Sequence, residues 1–258
     1  LDGIVRLVDE ADIDGVYMDG TANVWPCSNP THPGCGVARG DGTYTSVMPI
    51  RAERRFLKRL RNIFVQRGKV PFISAHTGGG VYSAALGLCD SYLDGEAGAA
   101  RFKKGHRVSP GEFVPGVMGK PMGMRGEVLP IGNITPPDAC LAISLVHDIE
   151  TRGQPAFIAE AMADYEDENT QFIGYWANSP LYSVNPKQVL GSLYVREDHA
   201  LLVLGSQLSD PVNCTVDISN LLEKLPDDVR IRDIATDQFV EAVDGRISLA
   251  IPGWQGQQ

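Results

Sequence analysis

The chain has 258 residues, 43% of them apolar and 21% charged, with a formal net charge of -9. That suits one large domain or two ordinary ones with a real core. The acidic balance argues against a nucleic-acid partner, which selects for a basic face, and no apolar run reaches the roughly 20 residues that cross a bilayer, so no membrane partner is expected. No signal peptide is visible. The chain opens on Leu1 inside helix-like sequence, and an N-terminal part of a longer protein is expected before it.

In chain order, Ile4, Val5, Leu7 and Val8 recur at helical spacing, with Asp2 as the N-cap. Asp12 and Asp14 supply a turn, and the apolar run from Gly15 is a first strand ending in Asp19-Gly20. Residues 21–46 are too polar and too rich in Gly and Pro for a regular element, and loops of this length tend to carry function. Phe56, Leu57, Leu60, Ile63 and Phe64 form one stripe of a helix over residues 50–67, stopped by Gly68. The basic residues between Arg51 and Arg67 read as the solvated face of that helix.

A second strand runs from Val70 into His76 and then Thr77-Gly78-Gly79-Gly80, which lacks the spacing and lysine of a phosphate loop. A short helix or turn over residues 81–87 precedes a third strand ending Asp94-Gly95-Glu96. Residues 97–134 read as loop with one short strand near Met124. A helix is expected over residues 136–151, capped by Thr135, with His147-Asp148 as a surface or capping feature, and another over 155–165. Beyond residue 179 the pattern becomes short strands separated by turns, with Glu197-Asp198-His199 and Asp244-Gly245 as hairpin turns.

Alternating strands and helices followed by β-only sequence are the order expected of the C-terminal part of a (β/α)8 TIM barrel followed by an antiparallel β-sandwich. The barrel portion is expected over residues 1–178 and the sandwich over 179–258. About four strand–helix units are present, so the missing N-terminal half of the barrel is expected in the full-length chain.

Active sites of such barrels lie at the C-terminal strand ends. Asp19, His76 and the Asp94/Glu96 pair would share that rim, and glycoside hydrolysis commonly needs two carboxyl groups flanking the scissile bond. Asp-Gly pairs are also ordinary turn residues. Tyr17, Trp25, Tyr44 and Tyr92 could stack on sugar rings, His76 could bind a hydroxyl or orient a carboxylate, and Arg125 could reach an acidic group. For Cys27, His32 and Cys35 three readings stand open: a Cys27–Cys35 disulfide, a metal site, or a plain loop whose His32 contacts substrate. A disulfide would suit an extracellular or periplasmic protein. The cysteines number five, so at least one is unpaired within the chain; Cys89, Cys140 and Cys214 sit in apolar surroundings and read as core.

The run Asp14 to Gly20, the loop Cys27 to Gly36, the Arg54-Arg55 pair, the His76 strand end, Ser91-Tyr92-Leu93-Asp94-Gly95-Glu96 and Phe172-Ile173-Gly174-Tyr175-Trp176 together resemble a bacterial glycoside-hydrolase-like group similar to glycoside hydrolase family 123. The resemblance implies a glycosidase acting on a carbohydrate substrate, with no cofactor. A looser likeness to α-galactosidase and α-glucosidase barrels implies Asp19 as nucleophile and Asp94 as acid/base, a retaining arrangement. Family 123 uses adjacent Asp and Glu; here Asp94 and Glu96 are separated by a glycine. A non-catalytic carbohydrate-binding protein on the same scaffold is the alternative.

Overall fold

The computed structural model describes residues 1–20, 25–32, 35–77, 83–95, 123–130, 141, 143–206, 208 and 210–253. The chain is a mixed α/β protein with a parallel sheet and several antiparallel ones. It divides into two compact units, Leu1–Gly98 with Gly111–Glu127, and Ala99–Pro110 with Val128–Gln258. Among the described residues no helix is long and apolar enough to cross a membrane.

The first unit opens with α1 (Asp2–Ala11). Leu1, not Asp2, is its N-cap; Asp2 falls in the first turn, where a carboxylate meets the positive helix end. Asp12 stops the helix in the left-handed region at φ 51°. Lys69 Nζ then grips the turn through the carboxylates of Asp12 (2.7 Å) and Asp14 (2.8 Å). β1 is Gly15–Met18; β2 (Val37–Ala38) and β3 (Tyr44–Thr45) pair as a small antiparallel ribbon inside the long loop.

α2 (Ile50–Val65) buries Leu57, Leu60, Ile63 and Phe64, while Arg51, Arg55, Lys58 and Arg59 face water as the spacing implies. Gly68 at φ 74° ends it in a Schellman arrangement, with Gly68 N–H on Val65 O (3.0 Å) and Lys69 N–H on Phe64 O (3.1 Å).

β4 (Phe72–His76), the short helix α3 (Ser83–Leu86), β5 (Ser91–Leu93) and β6 (Arg125–Val128) follow. Within this unit the strands lie side by side as β1-β4-β5-β6, all parallel. Side chains alternate across such a sheet. Met18, Ile73, Ala75, Tyr92 and Met124 pack on Val8 of α1 and on Leu57, Leu60 and Phe64 of α2. The opposite face is polar and layered by the register: Tyr17, Ser74, Ser91 and Arg125 in one row, His76, Leu93 and Glu127 in the next.

Two contacts fix the strand starts. A side chain at Gly15 would put its Cβ 2.0 Å from the Phe72 carbonyl oxygen. Asp90 Oδ2, just before β5, accepts both the Ile73 N–H (2.8 Å) and Arg61 Nη1 of α2 (2.8 Å).

In the second unit the helix expected to run to residue 151 stops sooner. Residues 143–145 are helical, and Asp148 takes the left-handed conformation at φ 59°. Ile149 N–H bonds Ser144 O (3.1 Å) and Asp148 N–H bonds Leu145 O (3.2 Å), the same termination as at Gly68 with an aspartate in the glycine's place. β7 (Glu150–Thr151) and α4 (Ala156–Ala163) follow, the latter shorter than the expected 155–165.

Of the two readings of His147-Asp148, Asp148 fits the capping one by ending the helix, while a surface place for His147 is corrected: it is 0% exposed. Its Nδ1–H donates to Ile143 O (2.6 Å), so Nε2 is the acceptor for the Tyr175 hydroxyl (3.1 Å). From β10 (Val189–Val195), Ser192 Oγ donates to Val146 O (2.6 Å) and Tyr194 reaches Leu145 O (3.1 Å), satisfying carbonyls freed at the helix end.

β8 (Gln171–Ile173) leads through a 3-10 turn at Tyr175–Ala177 to β9 (Ser183–Asn185). β11 (Ala200–Ser206), β12 (Val212–Asp217), α5 (Ser219–Leu222), β13 (Ile231–Asp233), β14 (Gln238–Val240) and β15 (Arg246–Ile251) follow, mostly the short strands expected beyond residue 179. The sheet orders are β11-β10-β8, β15-β12-β9 and β13-β14. One apolar cluster, including Val189, Leu193, Cys214, Val216 and Ile247, draws on both three-stranded sheets. Asp244 and Gly245, at φ 50° and 72°, form a tight type I′-like turn closed by both bonds between Val243 and Arg246.

Truncating Phe64, which is fully buried, to alanine is expected to cost about 3–5 kcal/mol in urea unfolding, against under about 0.5 kcal/mol for exposed Val65.

Burial pushes His147 below the ordinary histidine value of 6.5. The unfolded chain therefore takes up the proton first, and stability present above about pH 6.5 is lost as pH falls through that value. The urea midpoint should fall on acidification from about pH 7.5 to 5.5, and less steeply in His147→Gln.

Candidate active site

The parallel register brings three C-terminal strand ends together. Asp19 lies one residue past β1, His76 is the last residue of β4, and Asp94 is one past β5. The ladder continues to the ends: Thr77 N–H bonds Leu93 O (2.8 Å), and Asp94 N–H bonds Glu127 O (3.1 Å).

His76 Nδ1 and Asp19 Oδ1 are 2.5 Å apart, with the imidazole 14% exposed and the carboxylate 75% exposed. The Nδ1–H donates to the carboxylate. The other edge of the ring faces Gly95, where a Cβ would sit 1.9 Å from Nε2. The glycine of Asp94-Gly95 is thus needed for the imidazole to lie where it does. Tyr17 stacks on the same ring at 6.2 Å between centroids and 23° between planes. Asp94 is 0% exposed, in contrast to Asp19.

The remaining sequence candidates are dispersed. Trp25 is 71% exposed on the loop after β1. His32, on the same loop, faces Cys27 (3.7 Å) and Asn29 (3.2 Å). Arg125 opens β6 in the row of Tyr17 and Ser74, one layer below His76. Tyr92 is corrected: its ring is 0% exposed in the hydrophobic core and offers no face for a sugar. Glu96, Gly78 to Gly80, Cys140, and the helix start at Thr135 and Pro136 lie outside the described residues.

Glu127 was missed. It stands in the His76 row, and its Oε1 accepts the Ser91 hydroxyl (2.9 Å). Its signal was the alternation Arg125-Gly126-Glu127-Val128, polar on one face and small or apolar on the other.

Among the described residues, Cys27, His32 and Cys35 form the group whose donor atoms could hold a metal ion, all within 4.8 Å of one another. A large open cleft of about 940 Å³ lies elsewhere, in the second unit, lined by Asn169, Arg196, Asp198 and Lys224 among others.

No family model matches the chain. No curated protein matches it. Among solved structures it is similar to a maltogenic alpha-amylase from Thermotoga neapolitana, at 12% identity and a TM-score of 0.47, over 97% of this chain and 78% of that one. A likeness of that size assigns neither family nor activity.

Gly95→Ala should displace the imidazole and break its bond to Asp19. The short Nδ1–H···O contact predicts a downfield imidazole proton in the NMR spectrum of the unaltered protein. That resonance should be lost in Gly95→Ala and in His76→Gln.

Proposed function

We propose that the chain is the C-terminal portion of a glycoside hydrolase, with residues 1–178 as part of a (β/α)8 barrel and 179–258 as a β-sandwich, acting on a carbohydrate outside the cytosol. The observation that carries this reading is the exposed Asp19 carboxylate, held 2.5 Å from His76 at the strand-end rim, with the buried Asp94 just past the end of β5, two strands along from β1.

In the retaining form of the reaction, Asp19 attacks the anomeric carbon while Asp94 gives its proton to the leaving oxygen. Water, deprotonated by Asp94, then releases the sugar from the glycosyl ester. His76 is a positioning residue that aims the nucleophile. The division of labour follows the surroundings: a carboxyl removed from water suits the acid role, and an exposed, hydrogen-bonded one suits the nucleophile. The flat face of Tyr17 beside His76 suits a sugar ring.

The test is an aryl-glycoside hydrolysis screen of the full-length protein, run beside a glycan array. Asp19→Asn and Asp94→Asn should each lower kcat by roughly 10²–10⁴-fold with near-UV circular dichroism unchanged. Full turnover in the Asp19→Asn protein overturns the assignment. Glycan binding with no hydrolysis by the unaltered protein replaces it with a carbohydrate-binding one.

A further inference from the structure

The loop carrying Cys27, His32 and Cys35 is not used in that chemistry, yet it is tightly built. Cys27 exchanges both backbone hydrogen bonds with Val47, each 2.9 Å, and Cys35 N–H bonds His32 O at 3.0 Å. Gly36, at φ 77°, lies so close to Ser28 that a Cβ would be 3.1 Å from its carbonyl oxygen. The two sulfurs and a ring nitrogen converge within 4.8 Å.

Asn29 determines which nitrogen of His32 carries the proton. Its Oδ1 accepts Thr31 N–H (2.9 Å) and the Thr31 hydroxyl (2.8 Å), so the group facing His32 Nε2 at 3.2 Å is the amide NH₂, a donor. Nε2 must accept. The proton of the neutral ring is then on Nδ1, the atom 3.7 Å from Cys27 Sγ. A metal held through Nδ1 would need the reverse tautomer, with Nε2–H set against the Asn29 NH₂. The orientation of Asn29 opposes a metal and favours a sulfur that accepts a hydrogen bond.

We propose that Cys27 and Cys35 are a dithiol–disulfide pair, with Cys27 the attacking sulfur, His32 Nδ1–H its hydrogen-bond donor and Cys35 the resolving sulfur, and that the co-reactant is a low-molecular-weight disulfide. The Cys27 thiolate attacks one sulfur of RS–SR, forms a mixed disulfide and expels RS⁻. Cys35 gives up its proton, attacks Cys27 Sγ, closes the loop disulfide and expels the second RS⁻. The protein loses two electrons and two protons, and RS–SR becomes two RSH. The backbone N–H of Asn29, then His32 and Cys35, hold the Cys27 thiol below the ordinary range, while Cys27 holds that of Cys35 above it, which matches the assigned order of attack. Cys89 and Cys214 are buried, and burial pushes the Cys89 thiol up to about 12, so the loop chemistry is separable from theirs.

The full chain, purified reduced, is exposed to glutathione disulfide and followed by intact mass and peptide mapping. The unaltered protein should lose two hydrogens in a peptide linking Cys27 to Cys35. Cys35→Ser should stop at a glutathione adduct on Cys27, and adding His32→Ala should slow that adduct by roughly tenfold. The proposal is overturned if Cys27 forms no adduct in Cys35→Ser, if its rate is the same in native protein and in urea, or if the purified protein carries one zinc ion that departs with His32→Ala.

Discussion

The close approach of β1 to β4 is the constraint on which the rest of the first unit depends. Gly15 leaves no room for a side chain above the Phe72 carbonyl, and that contact sets the height of one strand against the other. From there the parallel ladder counts upward one residue at a time. It delivers Asp19 and His76 to the same level, one strand position above the helix-facing pair Met18 and Ala75. A shift of one residue would send the side chains of either strand to opposite faces. His76 would then point toward α2 and its leucines, leaving Asp19 without the ring that holds it.

The two faces of that sheet do different work. The helix-covered face is apolar and carries the core. The other face carries Ser74, His76, Ser91, Arg125 and Glu127 in rows, and buried polar groups on it need partners. Ser91 and Glu127 supply one such pairing, and the ladder at Thr77 and Asp94 ties down the backbone beneath the candidate carboxylates. A polar face of this kind adds little to stability, since the net gain per hydrogen bond is about 1 kcal/mol. Its value lies in holding ionisable groups in fixed positions.

Much of the fold was legible because long segments with a clear period report directly on burial. The stripe of α2, its stop at Gly68 and the short strands after residue 179 all follow from that signal. The misreadings have local physical causes. The helix containing His147 ends on Asp148, which adopts the conformation normally signalled by glycine, so the apolar periodicity of the sequence carries no stop at its true end. Tyr92 and Leu93 are adjacent on a short apolar strand, and an apolar run does not say which side chain meets the helices. Of the candidate site, the strand-end positions of Asp19, His76 and Asp94 were readable. The pairing of His76 with Asp19, the reason for Gly95 and the row containing Glu127 were not, because each depends on register between strands far apart in sequence.

β1 is the last strand of its sheet among the described residues, and its far edge has hydrogen-bonding groups with no described strand beside them. On β1 itself the Tyr17 side chain is exposed. An open edge is a template for adding another strand, from the same chain or from a neighbouring molecule. The physical consequence is colloidal: material of this sequence handled alone would associate edge to edge as concentration rises. Covering that edge would govern solubility before it governed any chemistry at the strand ends.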